Sequence, residues 1–269
     1  MSSFLQVRNL RKSFLRGGGA FANGDKAERF VAVDDVSFEV AQGETFAVVG
    51  ESGCGKTTLA RMILRLIEPD SGAILLEDRD LLRLKGQQLR AQRRQMQMIF
   101  QDPFASLNPR MRVGEIIGEP LAIHEPQRSR AERLEVVAAM LKRVGLDNAI
   151  NRYPHEFSGG QRQRIGIARA LILRPKLIVA DEPVSALDVS VGAQVLLLLQ
   201  ELQREFQLTY LFISHSLPVV AQLASHIAVM RAGRLVESGP AEQVLKAPAQ
   251  AYTRELLAAV PEIPQPGPV

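Results

Sequence analysis

The segment Gly50-Glu51-Ser52-Gly53-Cys54-Gly55-Lys56-Thr57 has the spacing G-x-x-x-x-G-K-[ST] and lies between a short apolar run, Thr45 to Val49, and a stretch of helical periodicity. Glycines at this spacing let successive backbone amides turn inward around a phosphate, and the N-terminus of the following helix adds partial positive charge. Lys56 is suited to reach the β- and γ-phosphates of a nucleotide, and the Thr57 hydroxyl to ligate magnesium. Gly50, Ser52, Gly53, Cys54, Gly55, Lys56, Thr57 and Thr58 are therefore the candidate nucleotide-binding residues. The competing reading, a glycine turn with no ligand, does not account for the lysine and threonine together. Cys54 reads as a small packing residue under the loop rather than a redox group.

Two further groups fit the same chemistry. Leu177-Ile178-Val179-Ala180 is an apolar strand pattern that runs into Asp181 and Glu182. The C-terminal ends of parallel strands are where ligands bind, so Asp181 is expected to hold magnesium, directly or through water, and Glu182 to polarise the attacking water. Ser158-Gly159-Gly160-Gln161 meets the capping-box pattern and leaves glycine amides at the start of an arginine-rich helix, which makes an anion site. A plain helix cap is the alternative. A second anion site with no lysine of its own suggests a γ-phosphate contact offered to a neighbouring molecule.

The elements that must carry these groups follow from periodicity. Leu5, Val7 and Leu10, then Val31, Val33, Val36, Phe38 and Val40, read as strands with one buried face. Between them, Arg16 to Arg29 carries Gly17-Gly18-Gly19 and Gly24-Asp25 and reads as a loop. Leu59, Met62, Ile63 and Leu66 predict a helix stopped by Pro69. From Asp102 to Glu156 turn residues give way to helices. The best marked has Ser129 and Glu132 as a capping box, Leu134, Val137, Ala138, Leu141 and Val144 as its apolar stripe, and Gly145 at its end. Beyond it an amphipathic helix to Leu173, strand Leu177 to Ala180, a helix through Leu202 and strand Leu208 to Ile213 alternate as in a buried parallel sheet. The proline-rich end from Pro261 predicts disorder.

Composition narrows the class. The 269 residues are 46% apolar and 23% charged, a globular balance that excludes disorder, collagen and coiled coil. A chain of this length buries roughly 75% of its unfolded surface, so no disulfide or structural metal is needed. With one cysteine, no intrachain bridge or thiolate metal site is available, which suits a reducing compartment. Lysine and arginine total 33 against 29 acids, and the net +4 is scattered, so no nucleic-acid face is expected; Arg90 to Arg94 reads as solvated surface. Apolar runs such as Val195 to Leu199 are too short to span a bilayer, and Met1 to Phe14 lacks a signal-peptide core, so neither insertion nor export is expected.

With these motifs in hand, nearly the whole chain resembles the nucleotide-binding subunit of ABC transporters. Ser158-Gly159-Gly160-Gln161 is similar to the family signature, with Phe157 where leucine is commonest; Gln101 matches the Q-loop, Ser185-Ala186-Leu187-Asp188 the D-loop and His215 the switch histidine. The resemblance implies an α/β fold: a P-loop NTPase with a RecA-like, mostly parallel sheet core, an N-terminal antiparallel β subdomain and an inserted helical subdomain. The implied divisions are 1–101 (β subdomain and first part of the core), 102–157 (helical signature subdomain), 158–240 (rest of the core) and 241–269 (C-terminal tail).

The resemblance also implies roles. Glu182, His215 and Gln101 are the catalytic group; Thr57, Gln101 and Asp181 the magnesium ligands; Ser158, Gly159, Gly160, Gln161 and Asp188 contacts across a head-to-tail dimer; and Phe14, in Lys12-Ser13-Phe14, the aromatic against adenine. ATP and Mg are the implied cofactors. Gln101 to Met111 and the end from Ala251 to Pro261 are similar to importers of dipeptides, oligopeptides and nickel, with Gln250-Ala251 replacing the usual His-Pro. The implied function is an ATP-hydrolysing motor on the cytoplasmic face of the membrane. Its partners would be a second ATP-binding subunit, identical or related, separate permease subunits and, indirectly, a solute-binding protein; nucleic acid is not expected. A soluble ABC ATPase of DNA repair or translation is the runner-up. It is disfavoured by the short interval from Thr57 to Ser158 and by the single cassette. A P-loop kinase or switch GTPase leaves Ser158 to Gln161 and Asp188 unexplained.

Overall fold

The computed structural model describes residues 3–16 and 28–259. Most of the loop expected between Arg16 and Arg29, and the proline-rich end, lie outside them. The chain forms two compact units, one of Met1–Arg83 with Phe212–Val269, the other of Leu84–Leu211.

In the first unit, β1 (Leu5–Arg16) pairs antiparallel with β2 (Glu28–Val40) and with β4 (Ser71–Leu76), and β4 carries the short β5 (Arg79–Asp80). The apolar step from Val7 to Leu10, three residues rather than two, has a local cause. The register slips there, Asn9 and Asp35 take left-handed conformations, and the Asn9 side-chain amide donates to Asp35 at 2.8 Å. That bulge returns Leu10 to the buried face opposite Val36.

The same unit holds β3 (Thr45–Val49), buried throughout and parallel to β9 (His226–Arg231), which is antiparallel to β10 (Arg234–Pro240). Helix α1 (Lys56–Ile63) follows β3, and α8 (Leu217–Ala221), α9 (Ala241–Lys246) and α10 (Ala251–Ala258) belong to the later segment. Leu59, Met62 and Ile63 are buried as their spacing requires, but Leu66 is 52% exposed. The helix ends before Pro69 because Arg65 turns left-handed and its buried guanidinium bonds the Leu81 carbonyl and Glu68.

The second unit contains α2 (Gly86–Arg93), β6 (Met96–Ile99), α3 (Pro103–Ser106), α4 (Val113–His124), α5 (Arg130–Arg143), α6 (Gly159–Leu171), β7 (Leu177–Asp181) and α7 (Val189–Phe206). Strands β6 and β7 run parallel, Met96 opposite Leu177 and Ile99 opposite Ala180. Strand β8 (Thr209–Ser214) leads the chain back to the first unit. The capping box of α5 forms as expected, but its buried stripe is Val137, Met140, Leu141 and Val144, with Ala138 and Leu134 outward. The Arg90–Arg94 run is not simply solvated. Arg90 donates to the Ile123 carbonyl at 2.6 Å, and Arg94 joins Arg128 on the buried Glu125 carboxylate.

Candidate functional site

The glycine loop sits where β3 meets α1. Gly50, Gly53 and Gly55 have φ of 155°, 81° and 111°, conformations that a side chain would strain. Two are also pressed by neighbours: a Cβ at Gly50 would lie 2.1 Å from the Met230 carbonyl oxygen, and one at Gly55 2.1 Å from that of Ala32. Lys56 is only 4% exposed, and its ammonium donates to the Gly50 and Glu51 carbonyls, each at 2.8 Å. Cys54 is buried beside them, and burial pushes its thiol above the ordinary range, so it is a packing residue with little thiolate. Thr57 and Thr58 stand in the first turn of α1.

Phe14 lies in β1 opposite Phe30 of β2, both partly exposed, with the Lys12 ammonium 5.6 Å from the Phe14 ring centre. The Asp70 carboxylate fixes this edge. It accepts from Lys12 Nζ at 2.9 Å and from the Ser13 amide and hydroxyl at 2.7 Å each, and those bonds hold its pKa down to about 2. Sequence reasoning missed Asp70, for nothing local ties it to residues 57 positions earlier.

In the second unit, Asp181 ends β7 at 3% exposure. Glu182 follows with φ 47°, a left-handed backbone rare for a side chain of this size, and its carbonyl accepts from the Ser185 hydroxyl at 3.0 Å. The Gln101 side-chain amide donates to the Glu182 carboxylate at 3.0 Å, so two of the three expected catalytic residues meet. The third, His215, is exposed just after β8 in the other unit.

Ser158 caps α6. Its hydroxyl accepts from the Gln161 amide at 3.4 Å, and Gln161 Oε1 accepts from the Ser158 amide at 3.0 Å. Gly160 has a further reason to be glycine: a Cβ there would lie 2.2 Å from Val191 Cγ1 of α7. Asp188 caps α7, and the Val191 amide and Ser190 hydroxyl keep its carboxyl below the usual range. Val189 beside it is 92% exposed. Among the described residues no group of three or more His, Cys, Asp or Glu is arranged to hold a metal, and no helix is long and apolar enough to cross a membrane.

These features match known proteins. Residues 33–185 match the family described as ABC transporter. The chain is 56% identical over 236 residues to the oligopeptide transport ATP-binding protein OppF of Escherichia coli, covering 87% of this chain and 70% of that protein. OppF of Bacillus subtilis is 49% identical over 264 residues, 97% of this chain and 83% of the relative. Among solved structures, the ATP-binding cassette MJ0796, a dimer in a post-hydrolysis state with ADP and Pi, superposes with a TM-score of 0.77 at 28% identity, covering 88% of this chain and 98% of that one. The protein cbiO1 of Clostridium perfringens, part of the ABC transporter complex cbiONQ, gives 0.76 at 25% identity, covering 91% of each chain.

Proposed function

Because the chain belongs to the ABC transporter family, we propose that it is the ATP-hydrolysing subunit of a peptide importer. The observation that carries this reading is the loop at Gly50–Lys56: a buried ammonium, three left-handed glycines and a helix start form a cradle for anionic phosphates. In the lysine's present position its protons satisfy loop carbonyls, and a triphosphate offers oxygens that compete for them. Phe14 supplies an apolar face for adenine. Base stacking on such a ring is worth about 1–3 kcal/mol in nucleic-acid complexes.

The roles implied by the motifs remain our proposal residue by residue. Glu182 takes the proton of the attacking water, with Gln101 orienting its carboxylate and His215 contacting the γ-phosphate. A hydroxyl at Thr57, an amide oxygen at Gln101 and a buried carboxylate at Asp181 are hard oxygen donors of the kind magnesium takes. That ion supplies charge neutralisation on the phosphates. Ser158, Gly159, Gly160, Gln161 and Asp188 face a second cassette, identical or related, so that two chains enclose each ATP head to tail. Residues 102–157 form the helical segment that passes this closure to separate permease subunits, which places the chain peripherally at the cytoplasmic face of the membrane. A solute-binding protein delivers the cargo, and the names of the OppF relatives, oligopeptide transport ATP-binding proteins, support a peptide cargo over nickel.

The test is ATP binding by the purified chain and ATP hydrolysis by its complex with the permeases. Peptide-stimulated turnover, lost in Lys56→Ala, is expected; a complex that hydrolyses ATP without response to any peptide would overturn the importer reading.

A further inference from the structure

The C-terminal helix reaches the glycine loop through a chain of contacts within the first unit. Glu237 of β10 fixes the start of α10, accepting from the Ala249 amide at 2.7 Å and the Gln250 amide at 3.1 Å. Arg254 closes the same turn by donating to the Pro248 and Ala249 carbonyls at 2.9 and 3.0 Å. This brings Tyr252, buried in α10, against Arg231, whose guanidinium lies 4.5 Å from the ring centre. The Tyr252 hydroxyl is sealed from solvent beside the Glu51 main chain and lacks a well-formed hydrogen bond there.

Arg231 opens the turn between β9 and β10, in which Ala232 and Gly233 both have positive φ, as a tight two-residue hairpin demands. That turn is wedged against the loop. The Gly233 amide donates to the Cys54 carbonyl at 2.9 Å, the Asp34 amide donates to the Gly233 carbonyl at 2.8 Å, and the Met230 carbonyl lies so close to Gly50 that this position could not carry a side chain. Tyr252 on Arg231 therefore buttresses the hairpin that shapes the phosphate cradle.

We propose that Tyr252 is a positioning residue for nucleotide binding: its ring clamps Arg231, and through the 230–233 hairpin holds residues 50–55 in the shape that receives phosphate. The inference rests on the reading of that loop as the ATP site. It also makes the C-terminal helix a part of the site, because coupling between two sites is reciprocal: if α10 raises the affinity of the loop for ATP, then ATP must tighten α10.

The experiment uses the full chain. ATP affinity is measured by calorimetry for the unmodified protein and for Tyr252→Phe, Tyr252→Leu, Arg231→Gln and the double variant Tyr252→Leu/Arg231→Gln. Hydrogen exchange of α10 is followed with and without a non-hydrolysable ATP analogue. Loss of a cation–π clamp predicts roughly three- to tenfold weaker ATP binding in Tyr252→Leu and in Arg231→Gln. The double variant should be no weaker than the weaker single, and Tyr252→Phe, which keeps the ring, should stay near the unmodified affinity. Arg231 is exposed, so its variant keeps the proposal testable even if Tyr252→Leu fails to fold. The analogue should slow exchange in α10 of the unmodified chain but not in Arg231→Gln. Unchanged affinity in Arg231→Gln, losses that multiply in the double variant, or α10 exchange indifferent to the analogue would each overturn the clamp. An unmodified chain that binds no ATP would instead overturn the reading on which it rests.

Discussion

The Gln101 amide donates to the Glu182 carboxylate at 3.0 Å across 81 positions of sequence, at a residue whose backbone is held left-handed. A backbone of that kind costs about 1–3 kcal/mol and persists where the surroundings over-determine it. Here the Ser185 hydroxyl and amide both bond the Glu182 carbonyl and fix the turn. The carboxylate is thus aimed by its own main chain and by a partner from the end of β6. Glu182→Gln keeps the shape and removes the base, so turnover by the transporter complex should fall roughly 100-fold or more with ATP affinity retained. Steady-state hydrolysis beside calorimetric binding checks this, and unchanged turnover removes Glu182 from its role.

Ser158 tests the two-chain site. Arginine there loses a helix cap, a change of about 1 kcal/mol, and fills the space in front of α6. The isolated Ser158→Arg chain should bind ATP as the unmodified chain does, while its complex loses turnover. Ser158→Thr, which keeps the capping hydroxyl, should retain it. Normal hydrolysis by the arginine variant in the complex would mean that the start of α6 does not close over a neighbour's nucleotide.

Much of this was legible in the sequence, and the reason is locality. The loop at Gly50–Lys56, the caps at Ser129 and Ser158 and the buried runs of β3 and β7 each announce themselves within eight residues. What stayed hidden depends on distant partners. The β4–β5 hairpin turns through Glu77 and Asp78, both with positive φ and neither a glycine, so the usual turn signal is missing. The early end of α1 is set by Arg65 reaching Leu81, and within the Arg90–Arg94 run Arg94 is held by Glu125. Gly160 offers an amide at the start of α6, a role visible in its own segment, whereas the steric reason for it lies in Val191 of α7.

Asp70 offers a prediction in pH. Its pKa is lowered from 3.8 to about 2, first by the Ser13 hydroxyl, then by Lys12 and the Ser13 amide. A depressed carboxylate contributes its stabilisation above its unfolded pKa and loses it as pH falls through the folded one. The clamp on residues 12 and 13 should therefore be complete above about pH 4 and released on approaching pH 2. Carbon-detected NMR of the Asp70 carboxyl should place its midpoint near 2, and a midpoint at the ordinary carboxylate value would mean the clamp is absent in solution. Asp70→Asn should weaken ATP binding modestly through Phe14 and leave the melting temperature nearly unchanged, because the group is exposed.

The packing of α6 on α7 gives the last test. A methyl at Gly160 would lie 2.2 Å from Val191 Cγ1 and 3.7 Å from its Cβ, so the offending atom is the tip of a branched side chain and not backbone. Gly160→Ala alone must push α6 from α7, and overpacking of this kind destabilises by about 1–3 kcal/mol. Removing the obstructing methyls in Gly160→Ala/Val191→Ala should restore most of that loss, since the new Cβ then occupies the space Val191 vacated. The pair should accordingly be non-additive in chemical denaturation, as contacting residues are. If the double variant is as unstable as the sum of its singles, glycine is needed at 160 for its backbone alone, and the steric account of this position is wrong.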